Sequence, residues 1–119
     1  MLIFKIFRAD EWAALRKNGV SDGAPIDVTD GYVHFSTAEQ AEETAAKHFK
    51  GEEGLFLLAL EAENLGDALE WEPSRGGALF PHLYRQLKLE DVVWAQPLPL
   101  VDGAHAVSYT HLTLPTNRE

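Results

Sequence analysis

Residues 30–40, DGYVHFSTAEQ, read as a turn, a short strand and the start of a helix. Side chains alternate along a strand, so Tyr32, His34 and Ser36 share one face, and Val33 and Phe35 the other. Val33 and Phe35 are the better core residues. A phenol, an imidazole and a hydroxyl are therefore left together on the second face. Ser36 and Glu39 match the S-x-x-E capping box, which satisfies two orphan backbone donors at a helix start. Ala38, Ala41, Ala45 and Phe49 then fall on one helical stripe, and Gly51 can end it. Such small alanines let a helix pack close to a sheet.

The flanks fit the same plan. LIFKIF (residues 2–7) is a strand candidate, and ADEWAALRKNG a helix that Asp10 can cap and Gly19 can end. SDGAPIDVTDG is rich in breakers and reads as a loop. GLFLLALEAE holds a buried strand, LEWEP a short strand stopped by Pro73, and DVVWAQPLPL a last strand, 92–96, that prolines end. NLGDAL reads as a turn or short helical piece, and SRGGALFPHLYRQL as loop-like. The order βα, βα, then mostly β predicts a single α+β domain over residues 1–107, with two main helices.

The chain has 119 residues, 45% hydrophobic, which suits one core. It has no cysteine, which excludes disulfides, thiolate catalysis and Cys-ligated metals. Its acidic net charge of −9 repels phosphate backbones and argues against duplex nucleic acid as a partner. One local positive pocket for a small anion is compatible with that charge. The start, MLIFKIFRADEW, is too short in its apolar run for a signal peptide, and Lys5 and Arg8 interrupt it. No segment approaches the roughly 18 apolar residues of a membrane span. A soluble, cytoplasmic protein is expected.

Three constellations carry chemistry. In the first, Tyr32, His34, Ser36 and Thr37 combine an imidazole that titrates near neutrality, hydroxyls and a helix N-terminus, which suits an anion or a sugar. Its structural alternative is a cap at Ser36, a packed Tyr32 and a satisfied His34. In the second, WEPSRGGALFPHLYR, Arg75 can fork onto a phosphate, Gly76 and Gly77 allow unusual backbone shapes, and His82 and Tyr84 again pair imidazole with phenol. Its alternative is a structured connection with a buried aromatic. In the third, Glu70 and Glu72 share one strand face opposite Trp71. One could act as a general base or hold a ribose hydroxyl, and the alternative is a solvated face. His34 and His82 with a carboxylate could ligate a metal, but no H-x-H or H-E-x-x-H spacing supports one, and none is assigned.

Residues 108–119, SYTHLTLPTNRE, change character abruptly and resemble a read-through tail found on unrelated recombinant clones; a native polar tail is the alternative. Either way, Tyr109 and His111 are left out of the site.

GYVHFSTAEQAEETAAKHF, LEWEPSRGGALFPHLY and VVWAQPLPL closely resemble the bacterial family called domain of unknown function 952, across roughly residues 2–100. That family name supplies no activity. YVHFSTAEQAEETA also resembles the element of the ADP-ribosyltransferase fold in which a strand bearing an aromatic and Ser or Thr enters an alanine-rich helix. That resemblance implies two small mixed sheets clasping a nucleotide, and an NAD- or ADP-ribose-like ligand. Tyr32 would position the base, His34 the ribose or phosphate, and Arg75 the phosphate. Gly77, His82 and Tyr84 would line the same cleft, and Glu70 or Glu72 would stabilise the developing oxocarbenium charge. The N-terminal His or Arg usual in that fold has no evident match here: LIFKIF offers Lys5, and Arg8 comes just after. The readings are thus an ADP-ribosyl-transferring enzyme, a non-catalytic binding module, or a structural partner-binding domain.

Overall fold

The computed structural model describes residues 1–105, so the tail 108–119, with Tyr109 and His111, lies outside the described residues. Along the chain come β1 (Leu2–Arg8), α1 (Ala9–Asn18), β2 (Val20–Ser21), α2 (Pro25–Asp30), β3 (Val33–His34) and α3 (Ala38–His48). Then follow β4 (Leu55–Glu61), a 3-10 segment (Ala62–Ala68), β5 (Leu69–Pro73) and a 3-10 turn (Arg75–Gly77). The rest is β6 (Leu79–Leu83), β7 (Leu87–Lys88), a 3-10 turn (Leu89–Asp91), β8 (Val92–Leu98), β9 (Leu100–Val101) and β10 (Ala104–His105). The α+β class is as expected.

Two three-stranded sheets form the frame, in the orders β1-β4-β8 and β3-β6-β5. Every strand pairing among the described residues is antiparallel, so the sheets are not mixed. Among the described residues no helix acts as a crossover between neighbouring parallel strands, which a parallel pair would need. The opening stretch is the hinge of the design. Phe35 N–H donates to Pro81 O of the second sheet, and one residue later Ser36 exchanges two backbone bonds with Phe4 of the first. One short segment thus stitches both sheets together.

β1 is buried along residues 3–7, because both of its faces are covered. Ile3 and Phe7 join Leu15 of α1 and Val33, Phe35 and Leu83 of the second sheet in one core. Phe4 and Ile6 join Ala45 of α3 with Leu55, Leu57 and Leu98 in another. The alanine stripe behaves as read: Ala41 and Ala45 are buried. Among the described residues no helix is long and apolar enough to cross a membrane.

Several local readings change. The cap of α3 is Thr37, whose hydroxyl accepts from Gln40 N–H at 3.3 Å while Gln40 Oε1 accepts from Thr37 N–H at 3.0 Å. Ser36 and Glu39 are therefore not the box. Ser36 is already committed to β1 through its backbone, and its hydroxyl meets Thr44 at 2.8 Å. Thr37→Ala is accordingly expected to cost about 1 kcal/mol, read from urea denaturation, while Ser36→Ala leaves the cap intact. Asp10 sits inside α1 rather than capping it; Arg8 is at the N-cap, and Glu11 accepts from its backbone N–H at 2.8 Å.

The breaker-rich loop contains α2, with Pro25 in its first turn, where a missing N–H costs nothing, and Gly31 as its left-handed C-cap. SRGGALFPHLYRQL supplies β6 and the start of β7. β8 runs through Pro97 to Leu98, because it is an edge strand paired with β4 alone, and an edge tolerates a missing donor.

Candidate functional site

The site grows out of the register of the second sheet. Val33 pairs with Leu83, and His34 with His82. On the other side of β6, Glu70 pairs with His82 and Glu72 with Phe80. Directly paired residues project to one face. Val33 and Leu83 therefore enter the core, and His34, His82 and Glu70 share the opposite face. The imidazole rings of His34 and His82 are 5.3 Å apart, edge to face. Tyr32 packs over both, with ring centroids at 4.6 Å from His34 and 4.2 Å from His82, and lies 5.2 Å from Tyr84.

Glu72 backs this cluster. Its Oε1 meets His82 Nδ1 at 2.7 Å and accepts from the Tyr84 hydroxyl at 2.7 Å. The hydrogen bond from His82, then that from Tyr84, holds the Glu72 carboxyl below its ordinary range. Conversely, the Glu72 carboxylate pushes the Tyr84 phenol up to about 12. Burial, then the charges of Asp30 and Glu72, raises Tyr32 as well. An ultraviolet titration is expected to show a phenol ionising near that value. In Glu72→Gln that phase should return toward the ordinary value of about 10. An unchanged titration would show that Tyr84 does not depend on Glu72.

His34 belongs to a second network, which the sequence did not announce. Asp27 on α2 is buried. Its Oδ2 accepts from Lys5 Nζ at 2.7 Å and from Ala24 N–H at 2.6 Å. Its Oδ1 accepts from His34 N–H at 2.9 Å and meets His34 Nδ1 at 2.6 Å. Lys5 Nζ also donates to His34 O at 3.0 Å. The far nitrogen of His34, Nε2, faces Asp30 Oδ2 at 3.0 Å. Burial alone would raise Asp27, but the His34 and Lys5 hydrogen bonds and the Lys5 charge prevail and hold it below its ordinary range. The cluster has no room for a bulkier neighbour: Gly23 has φ +99°, and a Cβ there would collide with the Asp27 carboxylate.

Between the two sheets opens a cleft of about 710 Å³. Phe4, Lys5, Ile6 and Arg8 line it from the first sheet, and His34, Phe80 and His82 from the second. Ile26, Ser36, Thr44 and Phe49 complete much of its wall. Of the residues singled out in the sequence, His34, Ser36 and His82 come together on this lining. Tyr32, Thr37, Glu70, Glu72, Gly77 and Tyr84 are not part of it. Thr37 caps α3, Gly77 sits exposed in the 3-10 turn, and Glu70 is exposed. Arg75 contributes backbone to the same turn, and its side chain lies outside the described part of the structure.

Asp27 and Asp30 are the residues that the site adds, and Lys5 enters it as the partner of Asp27. Lys5 in the middle of LIFKIF was the available signal, since an ammonium on an apolar strand needs a buried partner.

Arg8 lines the cleft and is paired with two carboxylates. Its Nε and Nη2 donate to the two Glu52 carboxylate oxygens at 2.9 and 3.1 Å, and Nη1 reaches Glu11 at 3.4 Å.

The family model described as "Protein of unknown function (DUF952)" matches residues 6–95. The crystal structure of protein CC0527 from Caulobacter crescentus is 49% identical in sequence and superposes with a TM-score of 0.91, over 96% of this chain and all of that one. Its solution NMR structure is 47% identical, with a TM-score of 0.82, over 96% of this chain and 98% of that one. A comparison with curated proteins gives no match.

Proposed function

The chain belongs to the DUF952 family, and since that membership carries no activity, we propose a function from its cleft: it binds a nucleotide-type small molecule of the NAD or ADP-ribose class, without group transfer. One observation carries this reading. The 710 Å³ cleft joins apolar walls, Phe49, Phe80 and Ile26, to the imidazoles of His34, His48 and His82 and the Ser36 hydroxyl. That volume and mixture suit a ligand with one flat apolar part and one polyhydroxylated part. The likeness of YVHFSTAEQAEETA to the nucleotide-clasping element of ADP-ribosyltransferases supports the ligand class.

Transfer is the weaker reading. It needs a carboxylate beside the reacting carbon, and neither Glu70 nor Glu72 lines the cleft. Glu72 is held by His82 and Tyr84. Asp10, Glu11 and Asp30 do line it, but Glu11 is paired with Arg8 and Asp30 faces His34 Nε2. Thermal denaturation with NAD, ADP-ribose and AMP tests the proposal. A ligand at 100 times its dissociation constant stabilises by about 2.7 kcal/mol, a visible shift in midpoint for a chain of this size. A midpoint that none of the three moves would sink the reading, and nicotinamide release from NAD would replace binding by catalysis.

A further inference from the structure

We propose that the ligand is gripped at its sugar, through a hydroxyl that donates to Nε2 of His82, and that its phosphates are not anchored. This rests on the binding reading above and names the part of the ligand that is recognised. Glu72 is a carboxylate, which can only accept hydrogen bonds. The nitrogen it faces at 2.7 Å, His82 Nδ1, must therefore carry the hydrogen. In the neutral ring the other nitrogen, Nε2, then presents a lone pair. His82 lines the cleft, and its Nδ1 is taken by Glu72, so Nε2 is the nitrogen left for a ligand. A ligand hydroxyl can donate to that lone pair. A phosphate oxygen brings only more lone pairs.

The charges on the lining point the same way. Lys5 and Arg8 on the lining are each paired with carboxylates, Lys5 with Asp27 and Arg8 with Glu52 and Glu11. Asp10 and Asp30 add carboxylates to the same wall. His34 cannot take over the task, because its two nitrogens face Asp27 and Asp30. The cleft is built to read a hydroxylated sugar and a flat ring, with phosphate tolerated at its mouth.

Calorimetric titration of the intact chain near pH 8, where free imidazoles are neutral, tests this with adenosine, its 2′-deoxy and 3′-deoxy forms, AMP, ADP-ribose and inorganic phosphate. Adenosine, AMP and ADP-ribose are expected to bind within about threefold of one another, phosphate not at all, and one of the deoxy forms about tenfold more weakly than adenosine. In His82→Phe the ribo and deoxy forms should bind alike. Should that variant fail to fold, the nitrogen-15 spectrum of His82 in the unaltered chain decides: a hydrogen on Nδ1 is expected, and one on Nε2 alone overturns the inference. Equal binding of ribo and deoxy forms to the unaltered chain, or ADP-ribose binding about tenfold or more tighter than adenosine, also overturns it while leaving the binding reading in place. Binding of none of these compounds removes the binding reading itself, and this inference with it.

Discussion

Replacing Asp27 with alanine is expected to cost roughly 3–5 kcal/mol of folding stability, the scale for breaking a buried ion pair by removing one partner. Lys5 is 6% exposed and Asp27 1%. Without the carboxylate, the Lys5 ammonium keeps only the His34 carbonyl as a partner. Ala24 N–H and the two His34 donors lose their acceptor at the same time. A domain with a total stability of about 5–15 kcal/mol would lose a large fraction of it. Urea denaturation measures the change, and a loss below about 1 kcal/mol would show that water or a side-chain shift replaces Asp27. The same carboxylate sets a pH dependence. Its folded pKa lies below the unfolded value, so its contribution is complete above an unfolded pKa of about 3.9 and is lost as pH falls through the depressed folded value. Acid unfolding of the unaltered chain is expected in that window. In Asp27→Asn that part of the acid limb should flatten.

The same residue shows where sequence reading reaches its limit. Val33, Phe35 and the alanines of α3 were legible because burial imposes a period, two on a strand and 3.6 on a helix, and that period is written locally. The cap was displaced by one residue, because Ser36 and Thr37 are both capping types. A bond 32 residues back, from Ser36 to Phe4, decides between them. Asp27 was hidden in DGAPIDVTDG, where proline and glycine read as breakers. The same letters, Pro25 in the first turn, Asp27 at the third helical position and Gly31 after the end, also spell a short helix. His34 and His82 were each visible as polar residues among aromatics. That they face one another depends on the β3–β6 register, and that Glu72 engages His82 depends on the β5–β6 register, neither of which any single stretch contains. Glu70 and Glu72 were equivalent in the sequence, and the fold distinguishes them: Glu72 accepts at Oε1 from the Tyr84 hydroxyl and meets His82 there, while Glu70, on the same strand face, is exposed.

His34→Ala is expected to cost about 1.5–3 kcal/mol, the range for a hydrogen bond to a charged group, even if His34 also serves the cleft. The loss comes from one side of the ring. Nδ1 faces Asp27, which is fully buried and cannot recover the bond from water. Nε2 faces Asp30, whose side chain is 36% exposed and can be rehydrated. An asparagine amide occupies nearly the position of Nδ1, and a glutamine amide nearly that of Nε2. His34→Asn should therefore recover more than half of the loss, and His34→Gln much less, in urea denaturation of the three variants. Recovery by Gln rather than Asn would mean that Asp30, at the cleft, is the partner that matters. Ligand titration of His34→Asn then isolates the other role. The ring stacked against Tyr32 is gone while the Asp27 bond remains, so weakened adenosine binding at near-normal stability would assign His34 to the cleft as well as to the fold.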